Sequence, residues 1–84
     1  MQSARVGNDR YVVQLVEAEW GVREINELID RQRELIEELE ERRFDLTSAK
    51  IVLESFIVTL TLYLQERHRL RAVSNAKITA AAAA

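Results

Sequence analysis

Cysteine and proline are both absent from the 84 residues, glycine occurs only at Gly7 and Gly21, and histidine only at His68. Without cysteine there is no disulfide and no thiolate metal site, and one histidine cannot build a zinc centre by itself. The lack of disulfides suits a reducing compartment, so a cytoplasmic location is expected. With no proline, and Gly21 the only glycine between Asp9 and Val73, nothing in that run breaks a helix. The start, Met1 to Asn8, lacks the charged region and apolar stretch of a signal peptide. The most apolar run, Ile51 to Leu64, is interrupted by Glu54, Ser55, Thr59 and Thr61. It falls short of the roughly 20 apolar residues a bilayer span needs, so no transmembrane helix is expected.

What is present is helical periodicity. Asn8 and Asp9 are good N-cap residues placed before an apolar cluster. Tyr11 to Val16 is rich in β-branched residues and can be read locally as strand, yet the 3.6-residue pattern continues unbroken beyond it. Leu15, Ala18, Val22, Ile25, Leu28/Ile29, Leu35/Ile36 and Leu39 follow a heptad, with Gln32 the one polar residue in the seam. A second run, Leu46, Ala49, Leu53, Phe56, Leu60 and Tyr63, alternates spacings of three and four. Between them Asp45 is a plausible N-cap. The expectation is an all-α chain: an antiparallel hairpin of two long amphipathic helices, about 9–43 and 45–73. Residues 1–7 form a loose arm in this reading, the second helix frays from Leu70 to Asn75, and 76–84 is a loose tail. The seam is expected at Val22, Ile25, Ile29, Ile36, Leu39, Leu46, Leu53, Phe56, Leu60 and Tyr63.

One continuous coiled-coil helix is the rival, because a seam also runs through the break from Ile36 and Leu39 to Leu53 and Leu64. That seam places Arg43 and Lys50 at consecutive buried positions, where each cation needs a partner or a route to water. Folding back turns both to solvent. It also sets Arg67, Arg69 and Arg71 beside Glu17, Glu19 and Glu24, so the acidic first half and basic far end pair within the chain.

Two helices cannot enclose a core alone, so oligomerisation or docking is expected to complete the unit. Ile51, Val58 and Leu62 form a second apolar stripe on helix two, and Val13, Val16 and Trp20 lie opposite the main seam of helix one. These six are the expected partner-binding residues, for a second copy or a larger protein complex. No catalytic residue, metal ligand or cofactor is expected. Glu37, Glu38, Glu40 and Glu41 fall on the solvent side of Ile36 and Leu39, and His68 has no nucleophile or orienting acid beside it in the pattern. Other readings are a nucleic-acid-binding regulator using the basic C-terminal end, and a peripheral membrane element laying the Ile51–Val58–Leu62 stripe on lipid.

Arg31 to Ile36 with Leu39-Glu40, then Asp45, Thr47, Ala49, Leu53, Phe56, Thr59-Leu60, Arg67 and Arg69-Leu70, resembles a family of small α-proteobacterial helical-hairpin proteins. The likeness spans about residues 25–71. It implies a hairpin and carries no assigned activity. Relatives usually have glycine where this chain has Arg43, and acids where it has Ile57 and Val58.

Overall fold

The computed structural model describes residues Gln2 to Ala83, with side chains from Arg10 to Ala82. Two helices, α1 (Gln2–Glu41) and α2 (Thr47–Ala83), pack antiparallel along their length. The continuous-helix rival is thereby ruled out. The molecule is a rod of 64 × 22 × 14 Å with a radius of gyration of 19.0 Å. A compact domain of this length would have a radius of gyration near ~12 Å, so the whole interior is one strip between two helices.

Both helices are longer than their expected bounds. The residues read as a loose arm belong to α1, and the tail belongs to α2 (Met1 and Ala84 lie outside the described residues). Once a helix is nucleated each further residue is cheap to add, and neither the N-terminal segment nor the alanine-rich tail contains proline. The expected fraying from Leu70 is overturned: Leu70 is the most buried side chain, at 1% exposure. Its cover lies inside the expected bounds of α1: next to it Arg71 meets Glu19 at 2.8 Å, and beyond it the Lys77 ammonium sits 4.1 Å from the centre of the Tyr11 ring.

The turn is built from hydrogen bonds rather than glycine. Phe44 N–H donates to the Leu39 carbonyl (2.9 Å) and Arg43 N–H to the Glu40 carbonyl (3.0 Å). These are the paired bonds of a Schellman C-cap, which requires a left-handed residue, and Arg43 supplies it with φ of 60°. Asp45 then caps α2, its carboxylate accepting from the Thr47 N–H (3.0 Å) and the Thr47 hydroxyl (2.7 Å). Those two bonds hold the Asp45 carboxyl below its usual pKa. A lowered folded-state pKa contributes stability that is present above the unfolded value and is lost as pH falls through the folded one. The cap therefore weakens below about pH 4.

Along the strip, Ala18, Ile25, Ile29 and Ala49 are buried, while Val22, Ile36, Leu39, Leu46, Leu53, Phe56 and Leu60 are half-buried. Tyr63, expected in the seam, is 38% exposed and lies at its rim, with one edge of the ring against Gly21, where a Cβ would fall 2.5 Å from Tyr63 Cε1. Gly21 serves close approach, since its φ is negative. Gln32 uses its seam position to donate from Nε2 to the Ala49 carbonyl at 2.9 Å, which ties the helices in register.

Two predictions follow from strain and contact. Arg43→Gly removes a left-handed penalty of about 1 kcal/mol and should raise the chemical-denaturation stability by that order. Gly21→Ala gains about 1 kcal/mol of helix propensity but drives a methyl into the Tyr63 ring. It should destabilise the wild-type chain and stabilise a Tyr63→Ala background; the same sign in both backgrounds would disprove the contact.

Candidate interaction surface

The strip between the helices consumes one face of each, and the outward backs are not all polar. At 100° per residue, Val13, Val16 and Trp20 lie roughly 140–200° round α1 from buried Ala18. Ile51, Val58 and Leu62 lie roughly 180–220° round α2 from buried Ala49. All six expected partner-binding side chains are between 48% and 60% exposed. The Arg23 guanidinium lies over the Trp20 ring at 5.7 Å, and the other five make no recorded polar contact. The two stripes occupy opposite edges of the rod and opposite ends of it. That of α2 is near the turn, and that of α1 is toward the open end.

Further apolar exposure was not anticipated from the pattern. Leu28, Leu35, Phe44, Val52, Ile57 and Leu64 are also exposed toward the turn, and Val12 and Ile78 lie exposed together at the open end. Ile57 joins Ile36 and Leu53 in a shallow groove between the helices, rimmed by Arg33, Glu37, Lys50 and Glu54. The apolar pair Ile57-Val58 was the available signal, because together the two widen the exposed apolar arc of α2. Its polar residues add little contrast. Ser55, Thr59 and Thr61 each donate a hydroxyl to the carbonyl four residues back, at 2.9–3.1 Å. By length and composition α2 is apolar enough to cross a bilayer, a wider stretch than Ile51 to Leu64 alone.

The charged residues are arranged less simply than expected. Of the anticipated interhelical pairs, Arg71–Glu19 forms, at 2.8 Å and half exposed. Such a pair contributes about 0–1 kcal/mol. Arg69 turns instead to Glu66 on its own helix, making two bonds of 3.0 and 2.6 Å. The bond from Arg69 draws the Glu66 carboxyl below its usual pKa, and the reciprocal bond raises that of Arg69. Arg67 and Arg71 border a groove that also holds Glu19, Glu27 and Asp30. Arg10, Arg69 and Lys77 line a separate depression with Tyr11 and Gln14, so the described bases of the open end gather in two places rather than along one stripe. The acids at positions 37, 38, 40 and 41 are exposed, and no three ligating side chains converge among the described residues. His68 is exposed.

No protein-family model matches the chain, and no curated protein or solved structure is similar to it.

Proposed function

We propose that the chain is a non-enzymatic protein–protein interaction module, a helical hairpin that self-associates or docks as a small accessory subunit on a larger complex. The observation that supports this is the pair of exposed apolar stripes on the helix backs. A large apolar side chain contributes roughly 1.5–3 kcal/mol when it passes from full exposure to full burial. These six begin 48–60% exposed, so covering them yields about half of that range. An interaction module needs only such a surface. The nucleic-acid reading has less support, since Arg69 and Arg71 already face carboxylates and the groove beside Arg67 is lined with acids. Contact with a lipid surface is the second reading, favoured by the length and apolar composition of α2. Flotation with liposomes separates it from protein association.

Two substitutions distinguish surface from core. Val58→Glu should leave helicity and melting nearly unchanged while reducing the mass measured by light scattering at micromolar concentration. Leu53→Ala should cost about 2 kcal/mol, the low end for buried leucines because Leu53 is only half-buried. If Val58→Glu unfolds the chain as severely as Leu53→Ala, the stripe belongs to the core and the reading fails.

A further inference from the structure

We propose that the occupant of the two stripes is another copy of the hairpin turned end for end, the α2 back of one copy lying against the α1 back of the next. This rests on the reading of the chain as an interaction module and adds the partner, its orientation and the symmetry of the contact. Charge complementarity supports the orientation. Cut at mid-rod, the turn half (residues 24–65) carries ten acids and five bases, and the open half (1–23 and 66–84) four acids and seven bases. The halves have net charges of −5 and +3, which together give the −2 of the whole chain. Side-by-side copies in the same orientation place like halves together. Turning one copy over places each acidic half beside a basic one.

The apolar stripes agree with that placement. At 1.5 Å per residue, the centre of the Ile51–Leu62 stripe is about 14 Å from the turn end of α2. The centre of the Val13–Trp20 stripe is about 22 Å from the open end of α1. Turning a copy over brings these two levels together within about 8 Å, less than the length of the α2 stripe. The helices that meet then run in the same chain direction. Next along them, the basic segment 66–83 of α2 (four bases against Glu66) runs beside the acidic segment 24–41 of the neighbour's α1 (eight acids against Arg31 and Arg33). Screening confines charge effects to about 8 Å at physiological salt, so it is this local neighbour pairing that counts.

The stripes are different surfaces on opposite edges, so the contact is heterologous. Each copy offers one of each and assembly does not stop at two. The test uses Val16→Glu, which removes the α1 stripe, and Val58→Glu, which removes the α2 stripe. Light scattering should find the wild-type chain growing beyond a dimer with concentration, each variant alone monomeric and helical by circular dichroism, and an equimolar mixture of the two forming a 1:1 heterodimer. That mixture result needs one intact stripe of each kind and no other arrangement gives it. A Val16→Glu variant that still dimerises would mean α2 pairs with α2, overturning this proposal while the interaction module stands. A wild-type chain that stays monomeric also overturns it, and leaves the module to a different partner. Because the chain has no cysteine, Ser55→Cys and Glu17→Cys, both at exposed positions, test orientation directly. Mixed in the wild-type background, they should cross-link to each other more than either does to itself.

Discussion

An antiparallel pair of helices has a single line of contact, and the rest of this molecule is organised by how that line is filled. Small residues sit where the helices press together: Ala18 and Gly21 on α1, Ala49 on α2. Gly21 admits the Tyr63 ring, and Gln32 reaches the Ala49 carbonyl across the same line. A line of this kind buries few large side chains completely; among the described residues Leu70 alone is below 2% exposure. Bulk apolar residues therefore have nowhere to go except the flanks and backs of the helices. The exposed stripes are a geometric consequence of building an apolar sequence into two helices.

Most of the hairpin was legible because its heptads are regular. The α2 seam, Leu46, Ala49, Leu53, Phe56, Leu60 and Tyr63, continues without a break through Arg67, Leu70, Ser74 and Lys77. It was lost at Leu70 because Ser74 and Lys77, which continue the seam, are polar, although Arg67, Val73 and Ser74 are half-buried in the structure. Long cationic side chains can lay their stems along an apolar strip and keep the charge outside, which is how such positions fill without looking hydrophobic. The Asp45 cap was readable from residue type. The C-cap was not, because a left-handed arginine leaves no mark in composition; only the two hydrogen bonds around Arg43 reveal it. The surface stripes were legible from the wheel. Their extension to Leu28, Leu35 and Val52 was not, since a strip narrower than expected leaves flanking leucines outside.

Charge plays a different part inside the molecule from the one its distribution along the chain suggests. The acidic first helix and basic far end face each other, yet among the described residues one ion pair joins the helices and it is half exposed. Pairs of that kind hold orientation more than stability. Most of the asymmetry is therefore left unspent as a difference between the two ends of a 64 Å rod. Nothing within a single hairpin uses it, because the ends are many screening lengths apart.

The character of α2 bears on what can cover it. Its hydroxyls are bonded to its own carbonyls at Ser55, Thr59 and Thr61, so each can be buried against an apolar surface without leaving a donor unmatched. That property suits lipid and protein equally. Lys50 and Glu54 do not: they rim the groove over Ile36, Leu53 and Ile57 together with Arg33 and Glu37, an alternation of sign along both banks. In hydrocarbon each of those charges is costly, whereas another helix can meet an alternating rim with charges of its own. A covering that leaves the groove wet and lies against the helix backs satisfies both constraints; a neighbouring helix or a lipid surface touched only by the backs fits that description, and a bilayer surrounding the whole hairpin does not.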